Sequence, residues 1–198
     1  MIQDADNSLK ALLVQKVPID ITAIDIRFEI PTKEWSATVT KPTINLFLYD
    51  VRENHELRSQ QRLLSAVTGT AGSGAAGSGT DSGPPVRMDL CYMITVWTAD
   101  VSDEHQLLGS LLTTLLRFPI LPPEVLSGSM ATQPFPLRAW IAQPERTPNP
   151  WDFWGNVEHR MKAGLNFTVT VAVQPFADTT VQLVTQPVVT IQPLPPQI

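Results

Sequence analysis

The stretch from Val86 to Thr98 constrains this chain more than any other segment. Met88, Leu90, Tyr92, Ile94 and Val96 occupy one set of alternate positions, and Cys91, Met93 and Trp97 occupy the other. A strand that is apolar at both sets of positions has to be covered on both faces, so it belongs in the interior of a layered sheet and is the candidate for its centre. At 198 residues the chain has the length of one domain, or of one domain with a tail. That size buries about 70% of the unfolded chain's surface, enough to hold together without disulfides or a structural metal.

The neighbouring segments supply the rest of a sheet and its cover. Ile2, Ala5, Leu9, Leu12 and Leu13 recur at helical spacing and predict an amphipathic helix that ends before Pro18. Ile24, Ile26, Phe28 and Ile30 alternate with Asp25, Arg27 and Glu29, a half-buried strand stopped by Pro31. Thr43 to Tyr49 is apolar on both faces and reads as a second interior strand. After the central strand, Ser102 or Asp103 is the expected cap of a helix whose stripe is Leu107, Leu108, Leu111, Leu112, Leu115 and Leu116, with Pro119 as its stop. Phe135 to Ala142 predicts a strand, Trp151 to Met161 a helix, and Leu165 to Val173 a cleanly alternating strand. Val181 to Ile191 reads equally as an edge strand or as an extended, proline-rich arm. The fold class expected is α/β (α+β), a single domain with a mixed, largely antiparallel sheet covered by helices.

Between Thr68 and Pro85 lie six of the ten glycines and almost no side chain suited to a core; this predicts a mobile Gly/Ser loop joining two strands. The domain boundaries expected are therefore 1–176 with the loop at 68–85, followed by 177–198 as edge strand or arm.

Composition excludes several classes of function. A formal net charge of -5 with 14 scattered basic residues argues against a backbone-driven nucleic-acid binder. One cysteine, Cys91, closes no internal disulfide and points to a reducing compartment. Asp4 and Asp6 stand where a secretory signal would be basic, and nowhere do 18 apolar residues run together, so neither a signal peptide nor a membrane span is expected. Only 17% of residues are charged, against about 25% for an average soluble chain, which suits a surface packed against other proteins.

No constellation of residues points to chemistry. Gly72-Ser73-Gly74-Ala75-Ala76-Gly77 matches a dinucleotide fingerprint in letters, but Gly79, Gly83, Pro84 and Pro85 follow it, and no helix can start there to present amides to a pyrophosphate. Asp100, Asp103, Glu104 and His105 read as the first turn of a helix, where the macrodipole favours acids. Cys91 sits mid-strand as a small apolar residue, and no nucleophile elbow is present. Asn166-Phe167-Thr168 is a glycosylation sequon in letters only. No catalytic residue, metal site or cofactor is expected. Trp151, Phe153 and Trp154 read either as the start of a core-packed helix or as an interface anchor.

Several stretches together resemble one family. They are Pro31-Thr32-Lys33-Glu34-Trp35, KPTINLFLYDVRENHELR from Lys41 to Arg58, DLCYMITVWTADVSDEHQLLGSLLTTLLRFPILPPEVL from Asp89 to Leu126, and NPWDFWGNVEHRMKAGLNFTVTVAVQP from Asn149 to Pro175. Their combination resembles the tail-terminator, or cap, proteins of bacterial extracellular contractile injection systems, relatives of contractile phage tail terminators. The resemblance implies a structural, non-enzymatic protein that forms a six-fold ring, with inner-tube and sheath subunits as partners. It also implies assembly in the bacterial cytoplasm and a place in the finished contractile particle. A tail-completion protein of a phage virion is the alternative within that class, and a small peptide- or ligand-binding module the alternative outside it. Arg52, Glu53, Asn54 and Arg58 match the polar end of the family's strand motif, which implies subunit or tube contacts for them; turn formation is the other reading of the same residues.

Overall fold

In the computed structural model the described residues are 1–20, 22–58, 63–66, 78–143, 153–155, 161–177 and 179–182. The chain divides into two compact units. One comprises Met1–Arg58 with Arg87–Val173, and the other Ser59–Val86 with Gln174–Ile198.

The larger unit is a five-stranded sheet with helices. Its strands are β1 (Asp25–Arg27), β2 (Thr43–Glu53), β5 (Val86–Trp97), β6 (Ala139–Ile141) and β7 (Gly164–Val173), in the order β1-β2-β5-β7-β6. β1 runs parallel to β2, β2 antiparallel to β5, and β6 antiparallel to β7. Gly164 lies against Ile94 and Thr95, Thr168 meets Cys91, and Thr170 meets Asp89. That descending order makes β7 antiparallel to β5. The segment expected at the centre is the third strand of five.

Helices α1 (Ile2–Lys16) and α3 (Val101–Leu116) supply the apolar layer on one side of the sheet. Ala5, Leu9, Leu12, Leu13, Leu111 and Leu115 join Ile44 and Leu46 of β2, Leu90, Tyr92, Ile94 and Val96 of β5, and Leu165, Phe167, Val169 and Val171 of β7 in one core. Each fully buried Leu, Ile or Phe contributes about 1.5–3 kcal/mol. The hydroxyl of Tyr92, inside this layer, donates to Asp6 at 2.8 Å. Asp4 anchors α1 to the 3₁₀ turn Gly128–Met130, accepting from the amide of Ser129 at 3.1 Å and from its hydroxyl at 2.6 Å. Gly128 is required there. Its φ is +53°, and a Cβ would lie 2.5 Å from an Asp4 carboxylate oxygen.

The smaller unit contains β3 (Leu63–Ala66), β4 (Ser78–Ser82) and β8 (Thr179–Gln182), an antiparallel sheet in the order β3-β4-β8. This corrects the loop expected at 68–85. Ser78–Ser82 is a strand, because backbone pairing on both sides holds residues whose side chains offer little to a core; residues 67–77 lie outside the described residues. Of the strand or arm expected at 181–191, only its start falls among them, paired in β8.

Other boundaries moved for local reasons. The strand expected from Ile24 to Ile30 is three residues long, and Ile30 is exposed. A short helix α2 (Lys33–Ala37) follows, capped by the Thr32 hydroxyl accepting from the Trp35 amide at 3.1 Å. The cap of α3 is Asp100 rather than Ser102 or Asp103, accepting from the Ser102 amide at 2.7 Å. Within its stripe Leu116 is exposed. The strand expected from Phe135 shortens to Ala139–Ile141, and of the helix expected from Trp151 to Met161 the described residues are Phe153 to Gly155, which are helical, and Met161, which is not. β2 runs four residues past Tyr49, through a bulge at which Leu48 pairs with Tyr92 and Asp50 with Cys91.

Candidate functional site

The sheet face turned away from α1 and α3 is unlike the apolar one. Near β1 and α2 it is aromatic. Trp35 and Trp97 meet edge-on at 5.2 Å, Tyr49 and Phe153 at 5.8 Å, and Phe153 and Trp154 at 5.2 Å, with Met93 and Phe47 in the same cluster. Lys162 stands 5.0 Å over the Trp97 ring and pairs with Glu104 of α3, so that acid serves an ion pair as well as the helix N-terminus.

Further along the same face the strands carry polar residues that are buried. Asn54 donates from Nδ2 to both carboxylate oxygens of Asp89, at 3.1 and 3.2 Å, and the Thr170 hydroxyl donates to Asp89 as well. Asn166 Nδ2 donates to the Tyr49 hydroxyl, and the Thr168 hydroxyl lies 3.7 Å from Cys91 Sγ. Asp89 is only 3% exposed and Asn54 only 5%. Burying such groups is tolerable because each finds a partner. Burial pushes the Cys91 thiol above its ordinary value and raises the Tyr49 phenol to about 12, so neither is primed as a nucleophile or base near neutral pH.

This network positions the rim where the expected contact residues lie. The Asn54 Oδ1 accepts from the Leu57 amide at 3.1 Å and caps the 3₁₀ turn His55–Leu57. One side chain thus ties the turn to β5. Beside it, Arg58 donates Nε and Nη2 to the two oxygens of Glu53, both at 2.7 Å, a bidentate exposed pair that holds the Glu53 carboxyl below its ordinary value. Arg52 is exposed, 3.8 Å from Asp50. The structure therefore pairs Glu53 with Arg58 at the end of β2, sets Arg52 on the opposite face of the strand beside Asp50, and turns Asn54 inward to Asp89. Trp154 lies apart from that rim, buried in the aromatic cluster, and Trp151 lies outside the described residues. Asp89 and Thr170, which hold the rim from below, escaped the sequence reading; the only signal for them is a carboxylate and a hydroxyl at positions of two strands that pattern as buried.

No group of three or more His, Cys, Asp or Glu able to hold a metal occurs among the described residues, and none of their helices is long and apolar enough to cross a membrane. His105 is exposed on α3 and Cys91 is buried in the sheet, so the two form no catalytic pair.

Among the solved structures that share this fold, two match over almost the whole of this chain. One is the sheath/tube terminator of an extracellular contractile injection system, PVC, in its extended state, with a TM-score of 0.69 and 23% identity, covering 98% of this chain and 64% of that one. The other is the tube-terminating cap of the anti-feeding prophage, with a TM-score of 0.62 and 22% identity, covering 98% and 62%. The chain spans a little under two thirds of the length of either. No curated protein matches it. The model of the Pvc16 N-terminal domain matches residues 4–190, nearly the whole sequence, and the chain belongs to that family.

Proposed function

We propose that this chain is a structural cap, a tail terminator that closes the end of the inner tube and sheath distal to the baseplate of a contractile injection system. The observation that carries the reading is the likeness of fold over 98% of the chain to a sheath/tube terminator, joined to membership of the family. The site described above fits it. An exposed rim of paired charges on a rigid, hydrogen-bonded base suits protein contact, and the raised Cys91 and Tyr49 groups give no support to catalysis. The cap acts without enzymatic chemistry, without a cofactor and without nucleic acid.

The mechanism is geometric. A helical polymer ends each layer with a heterologous surface that recruits the next one, and growth stops when a closed ring matches that surface on one side and offers nothing on the other. Six copies would make that ring, with inner-tube and sheath subunits as its partners. Arg52, Glu53 and Arg58 would face one of these partners, on a base that Asn54 orients; Trp151 would add an interface anchor, and the buried Trp154 would brace the sheet from its aromatic cluster. Assembly in the bacterial cytoplasm and incorporation into the particle follow from the same reading.

Electron microscopy of particles from cells lacking the gene tests it. Overlong, open-ended or missing particles that complementation restores to uniform, capped ones are expected. Capped particles of uniform length in the deletion strain would overturn the reading.

A further inference from the structure

We propose that the ring closes edge to edge, with β6 of one copy pairing with β1 of the next so that the five-stranded sheets run on from subunit to subunit. The inference rests on the reading of the chain as a ring-forming cap and names the surface on which the ring is built.

Among the described residues, both outer strands of the sheet have backbone to offer. At β6, the Arg138 carbonyl accepts from the Thr170 amide at 3.0 Å and the Ala142 amide donates to the Asn166 carbonyl at 2.9 Å, so residues 138, 140 and 142 bond inward to β7. The alternate residues, Ala139 and Ile141, turn their backbone groups outward. Part of that outer edge is already paired. The Ala139 amide donates to the Pro119 carbonyl and the Leu121 amide to the Leu137 carbonyl, both at 2.9 Å. The Ala139 carbonyl and both backbone groups of Ile141 lie past this short ladder. They border a cavity of about 400 Å³ lined by Leu116, Ile120, Trp140 and Phe167 among others. Leu116 is 57% exposed and Ile120 47%. Ala139–Ile141 carries no charge, proline or bulge of the kind that blunts an edge against pairing.

β1 is the opposite edge. The Asp25 amide donates to the Pro42 carbonyl at 2.9 Å, and by the alternation of a parallel ladder the backbone groups of Ile26 face outward. A groove of about 330 Å³ lies beside them, lined by Lys10, Val14, Ile24 and Ile26 among others.

Direction, side chains and charge agree with pairing between copies. Strand directions along the order β1-β2-β5-β7-β6 make β1 and β6 antiparallel to each other, so copies related by rotation about an axis along the strands bring these edges together as an antiparallel pair. Such a contact is heterologous, the kind that generates a ring when the rotation closes. Ile26 pairs with Ile44 and so shares the helix side of the sheet with Ile141, while Asp25 and Arg138 both lie on the other face. Arg138 is exposed, has no ion-pair partner among the described residues, and stands close enough to Arg87 for the two cations to oppose each other. Asp25, with a side chain 40% exposed, has its neighbour Arg27 at 3.3 Å. An Asp25 arriving from the next copy would give Arg138 the anion it lacks.

Cysteine cross-linking in caps isolated on their tubes tests this arrangement. D25C with R138C, and R27C with R138C, place thiols on one face and bracket the register, and Cys91 is buried out of reach. A ladder of covalent oligomers on a non-reducing gel is expected from one of these double variants, and monomers from each single one. In parallel, R138D is expected to weaken ring formation about tenfold and D25R to restore it when combined with R138D, with unchanged thermal midpoints showing that each variant folds. Capped tubes yielding only monomers, with charge reversals that do nothing, would overturn the edge pairing and leave the cap function standing. A cross-link to a tube or sheath subunit would overturn it too, assigning the edge to that partner. Wild-type chains that neither ring nor cap would overturn the cap reading, and this inference with it.

Discussion

The two faces of the five-stranded sheet are buried to the same degree by opposite means. Toward α1 and α3 the contacts are almost wholly apolar, from Ile44 and Leu46 through Tyr92 and Ile94 to Phe167 and Val171. On the other face Asp89, Thr95, Asn166, Thr168 and Thr170 are equally enclosed, and partners replace hydrophobicity as the condition for their burial. Apolar packing is tolerant in direction, since a Leu accepts neighbours from many angles. A carboxylate gripped by an amide and a hydroxyl accepts one arrangement, and loses it at a cost. The helix face therefore supplies most of the stability, and the polar face fixes how β2, β5 and β7 lie against one another beneath the exposed rim.

That division can be broken from either side. Phe167→Ala on the helix face should cost about 3–5 kcal/mol in chemical denaturation, transfer and cavity terms together, and should leave the rim's geometry alone. Asp89→Ala on the other face should cost about 2–3 kcal/mol by stranding the Asn54 amide and the Thr170 hydroxyl. A double-mutant cycle with Asn54→Ala should show the two losses to be strongly non-additive; additive losses would dissolve the network as a unit.

A pH titration sharpens the helix side. Hydrogen bonds from Ser129 hold the Asp4 carboxyl down at about 2, from an ordinary value of 3.8. A depressed carboxylate lends stability that is fully present above its unfolded value and is lost as pH falls through the folded one. The docking of α1 on the Gly128–Met130 turn should therefore loosen between about pH 4 and pH 2, seen as amide exchange at Ser129. Asp4→Asn should remove that slope. The smallest effect belongs to the rim: Arg58→Ala should leave the midpoint of chemical denaturation essentially unmoved, because an exposed pair with Glu53 gains little against solvent and salt. Its consequence should instead appear in capping, scored by the length distribution of particles.

The elements were legible where periodicity is strong. α1, the interior strand β2, the central strand β5 and the alternating β7 follow from side chains spaced at helical or two-residue intervals, since burial on a face leaves that mark on a sequence. β4 left no such mark. Ser78–Ser82 is held by backbone pairing, which any residue but proline can make, and its glycine and serine letters read as loop. Asp100 escaped as the cap of α3 because Asp103 with Gln106 matches a capping box equally well, and letters cannot choose between two compatible frames. At the site, the residues of the rim were singled out only by the family resemblance. Their support was not legible, because the contacts between Asn54 and Asp89 and between Asp89 and Thr170 join positions far apart in the chain.

The bulge at Leu48 and Asp50 has a consequence for variation along this strand. Up to Leu48, even-numbered residues point toward the helices; beyond Tyr49, odd-numbered ones do, so Val51 faces the helix side while Asp50 and Arg52 face Cys91 and Asp89. The extra residue acts as a frame shift in space. Straightening the strand with all its residues kept would exchange the addresses of every side chain from there to its end, sending Arg52 toward the leucines and Val51 toward the carboxylate, whereas deleting Tyr49 would leave each of them on the face it now occupies.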